Sequence, residues 1–80
     1  MKHDVGQYLV MDPEVCHGQL TFKGTRVPVI TVLALLAKGY SVRQLLKSYP
    51  ELKQSAIEES VSLAMESLQM RYQVPLEIAA

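Results

Sequence analysis

Between Gly24 and Pro50 the chain is cut into short pieces by residues that long regular elements do not tolerate. Gly24 precedes Thr25-Arg26, Pro28 follows, Gly39 comes after Lys38, and Pro50 follows Tyr49. Proline removes a backbone donor and clashes inside a helix, and glycine favours helix ends, so elements here must be short and their limits readable. The apolar run Val29, Ile30, Val32, Leu33, Leu35, Leu36 predicts a first helix over about residues 28–38, with Pro28 in its first turn and a glycine cap at its end. Ser41 and Gln44 have capping-box spacing, and Val42, Leu45 and Leu46 supply the apolar face of a second helix over about 42–49. The longest helix is expected over about 53–72, with Ile57, Val61, Ala64 and Leu68 at helical spacing and Met65 beside them.

Upstream, Tyr8 to Met11 is β-prone and stops at the turn initiator Asp12-Pro13, while Leu20 to Lys23 alternates apolar and polar before Gly24. These read as two short strands within about residues 7–23. The connection from Asp12 to Gln19 is too long for a tight hairpin, so the strands pair with each other or with those of a second subunit. Residues 73–80, with Pro75, read as an irregular tail in which Leu76 and Ile78 are available to bind a partner and order on doing so. The predicted fold is therefore mainly α: two N-terminal strands, then a three-helix bundle, in a single domain over 1–80. At this size a monomer buries only roughly 60–65% of its unfolded surface, which makes self-association a ready route to stability. A homodimer is expected, with the strands and the first helix, whose apolar residues cover more than one stripe, at its interface.

The formal net charge is zero, so the whole molecule has no bulk attraction to nucleic acid. Its distribution is uneven: residues 20–53 hold Lys23, Arg26, Lys38, Arg43, Lys47 and Lys53 against Glu51 alone, leaving the two ends acidic. A basic middle and acidic ends suit two different partners. The single cysteine, Cys16, excludes an internal disulfide and leaves the cytoplasm as the expected compartment; no signal core or membrane-spanning run is visible.

Catalysis has few candidates to draw on. Only His3 and His17 could act as histidine bases, and Cys16 and His17, being adjacent, would point to opposite faces of a strand. His3, Asp12, Cys16 and His17 lack metal-ligand spacing, and Gly18 and Gly24 make no phosphate-binding pattern. An enzyme, a metal site and a bound cofactor are not expected.

A more specific arrangement is the pair of helices joined across Pro50-Glu51-Leu52 after a buried first helix, which matches the three-helix plan of a helix-turn-helix DNA-binding domain. In that plan Lys53, Gln54, Ser55 and, one turn on, Glu58 face base edges, while Arg43 and Lys47 hold the phosphate backbone. Glu58, Glu59 and Glu66 confine any close approach to the first turn of the helix.

The segments GQLTFKGTRVPV (residues 18–29), TVLALLAKGYSV (31–42) and LLKSYPELKQSAIEESV (45–61) together resemble the domain-of-unknown-function family 433, over about residues 8–70. Gly24, Thr25, Arg26 and Pro28 lie in its most diagnostic stretch. The resemblance implies a homeodomain-like helix-turn-helix antitoxin of a toxin-antitoxin pair, one that represses its own operon and neutralises a PIN-like nuclease toxin by direct binding. The alternative is a protein-protein interaction module of the same fold without DNA binding. Two departures stand out: Gln19-Leu20 replaces a frequent Lys-Pro, and Lys53 replaces a frequent threonine at the start of the third helix, which forfeits a cap unless Ser55 supplies one. Arg26 is expected to satisfy carbonyls or a carboxylate such as Asp12.

Overall fold

The computed structural model describes residues 1–73. Three short strands, β1 (His3–Val5), β2 (Leu9–Met11) and β3 (Leu20–Phe22), are followed by three helices, α1 (Val29–Ala37), α2 (Val42–Ser48) and α3 (Gln54–Tyr72). The strands form one antiparallel sheet in the order β1-β2-β3, with Val5 opposite Leu9 and Leu9 opposite Phe22. The two expected strands thus pair within the chain. The third, β1, is an addition that sequence reading missed: it is an edge strand, exposed at His3 and Asp4, and carries no apolar alternation to announce it.

Local chemistry sets the boundaries. Asp12 closes the turn after β2 by accepting the Glu14 amide on Oδ1 and the Val15 amide on its carbonyl. Cys16, His17 and Gly18 lie in a tight turn where all three have positive φ, and Cys16 Sγ donates weakly to the Arg26 carbonyl at 3.5 Å. After β3, the Thr25 hydroxyl donates to the Phe22 carbonyl and accepts the Val27 amide, folding GTRV back along the strand. Pro28 consequently stands one residue outside α1, as its extended N-cap, bridged to Thr21 rather than inside the first turn. Gly39, at φ 102, ends α1: its amide donates to Leu36 and that of Tyr40 to Leu35, the paired bonds of a Schellman motif. The Ser41–Gln44 capping box forms as the spacing predicts, with both reciprocal hydrogen bonds present.

Leu9, Phe22, Val32, Leu45 and Ile57 meet in the core, one or more from each of β2, β3 and the three helices. The apolar excess of α1 is taken up largely at home: Leu33, Leu35 and Leu36 pack half-buried against this core, leaving Ile30 as its exposed large apolar residue. The surplus lies on α3, whose buried residues Ala56, Ile57 and Ser60 all fall in its first half, while Met65, Leu68, Met70 and Tyr72 face solvent. No helix among the described residues is long and apolar enough to cross a membrane.

Candidate functional site

The capped α2 and the start of α3 converge on a shallow concavity lined by Val42, Arg43, Leu46, Lys47 and Gln54. Arg43 and Lys47 are one helical turn apart on α2 and therefore project side by side. Both are exposed, as is Gln54 at the first position of α3. Three of the six residues singled out for nucleic acid are thus brought together, two cations flanking one amide over an apolar floor. Leu45 holds this surface in place, being the one buried residue of α2.

The other three are placed differently. Lys53 is the N-cap of α3 and borders a separate cleft against Tyr8 and Phe22. It offers no side-chain cap, and Ser55, at the second helical position, does not substitute for one, so the first amides of α3 keep no side-chain acceptor at that cap. Ser55 and Glu58 are exposed. Glu58 Oε2 accepts a hydrogen bond from Gln54 Nε2 at 3.1 Å, which occupies part of the amide expected to read a base. Leu76 and Ile78 lie outside the described residues.

Glu59 has a role that sequence reading missed. Its carboxylate accepts the Gln7 amide on Oε2 at 2.9 Å and the Tyr8 amide on Oε1 at 2.8 Å, clamping the β1–β2 turn onto α3. Gly6 in that turn has φ 64, and a Cβ there would come within 2.8 Å of the same carboxylate. The partners are more than fifty residues apart, and nothing in the local pattern links them. Glu59 is therefore committed to the fold and is not a free charge on the helix surface.

Arg26 also departs from expectation. The salt bridge found among the described residues joins Lys23 to Asp4 at 3.5 Å, and Asp12 is spent on its own turn, so the Arg26 guanidinium remains exposed over a cleft that also has Lys2, Asp4, Asp12 and Glu51 on its walls. Cations and carboxylates are balanced there, which gives no net field for an anion. No group of three metal-binding side chains occurs among the described residues.

The family described as protein of unknown function, DUF433, matches residues 9–64. The chain belongs to the DUF433 family. The match begins at β2 and ends within α3, so β1 and the exposed end of α3 lie outside it. A DUF433 member protein from Anabaena variabilis ATCC 29413, determined by crystallography at 2.00 Å resolution, is similar with a TM-score of 0.71 and 27% identity, covering 94% of this chain and 71% of that one. No curated protein matches the chain.

Proposed function

We propose that this DUF433 chain is an antitoxin-type DNA-binding protein, with α2, the turn through Pro50 and the start of α3 acting as a helix-turn-helix. One observation carries the reading: Arg43, Lys47 and Gln54, from two different helices, are exposed together on one concave surface. Arg43 and Lys47 supply phosphate contacts, and Gln54 offers the amide that pairs with adenine in the major groove. The uncapped amides at the start of α3, with Lys53 beside them, suit a phosphate oxygen. The family resemblance extends the proposal to repression of the chain's own operon and to restraint of a PIN-like nuclease toxin by direct binding.

The test is fluorescence anisotropy of the full chain on duplex DNA from directly upstream of its gene, against a scrambled duplex, at two salt concentrations. Preference for the upstream duplex and loss of affinity with salt are expected, with Arg43→Ala and Lys47→Ala each reducing the salt slope by about one. Absence of binding at low salt overturns the reading. The protein-only alternative draws its support from the zero net charge and from the tie between Gln54 and Glu58.

A further inference from the structure

Helix α3 sets two polar side chains next to each other at its start, and their contact fixes which way one of them faces. Gln54 and Glu58 are both exposed and stand about 40° apart round the helix and about 6 Å apart along it. Gln54 Nε2 donates to Glu58 Oε2 at 3.1 Å. A carboxylate only accepts, so the amide cannot turn over without losing this bond: its nitrogen stays on the Glu58 side and its carbonyl oxygen on the other. The neighbouring polar groups are engaged elsewhere or are unselective. Lys53 borders a separate cleft, Glu59 holds the β1–β2 turn, and the Ser55 hydroxyl both donates and accepts, so it names no base.

We propose that Gln54 and Glu58 act as one reading unit that selects adenine under Gln54 and cytosine under Glu58, a role that rests on the DNA-binding reading. In this arrangement Gln54 gives Glu58 the amide hydrogen remote from its own carbonyl. The edge that remains carries the carbonyl oxygen and the second N–H next to each other, an acceptor beside a donor. Adenine is the base whose major-groove edge matches it, with its N6 amine donating to Oε1 and its N7 accepting from Nε2. Guanine presents two acceptors, N7 and O6; an untied amide can point both of its N–H groups at them, but the tied one has already committed one. Glu58 Oε1 stays free and only accepts. Adenine and cytosine both carry an amine in the major groove, but that of adenine stands beside the N7 acceptor, which repels a carboxylate. Cytosine N4 has no acceptor next to it on its own base, whereas guanine O6 and thymine O4 are acceptors facing an acceptor.

The rise of about 6 Å between the two residues covers one to two base steps of ~3.4 Å, so the adenine and the cytosine fall within two base pairs of each other. The charge on Glu58 weakens binding to every sequence alike, whereas its lack of a donor separates one sequence from another. Glu58 therefore acts twice, directly on cytosine and, as a positioning residue for Gln54, on adenine. Its removal is felt at a base it does not touch, an effect that two side chains reading independently would not produce.

Selection of the full chain on a pool of random duplexes at low salt, with sequencing of the retained fraction, tests the unit. The parent is expected to retain an adenine and a cytosine within two base pairs of each other, each preferred at least about fivefold over guanine and thymine. Gln54→Ala should lose the adenine preference and keep the cytosine. Glu58→Ala, at an exposed position, should lose the cytosine preference with an unchanged circular dichroism spectrum, and should also weaken the choice of adenine over guanine by about threefold or more. Guanine or thymine accepted at either position, or an adenine preference that Glu58→Ala leaves intact, overturns the proposal while DNA binding stands. Salt-sensitive binding of the pool with no enriched sequence does the same. Failure to retain any duplex at low salt overturns the DNA-binding reading and the reading unit with it.

Discussion

Glu59 joins the two ends of the fold through a single carboxylate. Hydrogen bonds to a charged group contribute about 1.5–3 kcal/mol each, and here two backbone amides of the β1–β2 turn depend on one side chain. Glu59→Ala is expected to destabilise the domain by about 2 kcal/mol in urea unfolding and to release β1, which shows as rapid amide exchange at Gln7 and Tyr8. Gly6→Ala is expected to cost about 1–2 kcal/mol from its left-handed conformation, and more from the approach of its methyl to the carboxylate. In the double variant the second part of that cost disappears, so the two effects should fall short of additivity by at least about 0.5 kcal/mol. Strict additivity would mean that Gly6 and Glu59 act independently. Lys53 shows the opposite case, a position where local stability is forgone: cation and uncapped amides coincide at the positive end of the α3 dipole.

Helix α2 is the weakest carrier of the candidate site, having seven residues with one buried anchor, Leu45, at 1% exposure. Leu45→Ala removes that anchor and leaves a cavity between α1, α2 and α3, costing about 2–5 kcal/mol. For a domain of this size the melting temperature should fall by on the order of 15 °C, with loss of α2 helicity. A drop of only a few degrees would show that the capping box and half-buried Leu46 hold α2 without it. The helices were legible because their limits are written in local chemistry: Gly39, the Ser41–Gln44 pair and Pro50 act within one turn of where they stand. Pro28 misleads by one residue because its fixed φ suits both an N-cap and a first helical position, and the Thr21 bridge decides between them. β1 was not legible, since its pairing depends on Gly6, Tyr8 and a carboxylate on a distant helix. Within the site, the convergence of Arg43, Lys47 and Gln54 followed from helix spacing, but Lys53 turned to another cleft and Gln54 took up Glu58, outcomes of side-chain geometry that spacing does not carry.

At the scale of the whole molecule the charge balance bears most directly on the proposed DNA surface. The chain is neutral, and its basic middle is offset by acidic residues, of which Glu58 stands one turn from Gln54 and accepts its amide proton. Glu59 cannot be removed without loosening the sheet, whereas Glu58 is exposed and serves no packing role. If Arg43, Lys47 and Gln54 meet DNA, Glu58 both repels the phosphates and competes for the amide that would read a base. A unit charge near a protein surface interacts across about 10 Å with roughly 1–2 kcal/mol at moderate effective dielectric, less once salt screens it. Glu58→Gln is therefore expected to tighten binding to the upstream duplex about fivefold at low salt, with the gain shrinking as salt rises and with unfolding stability changed by less than about 0.5 kcal/mol. Anisotropy titrations of parent and variant at matched salt decide the matter. Unchanged affinity in a parent that does bind DNA would place the contact surface away from the first turn of α3.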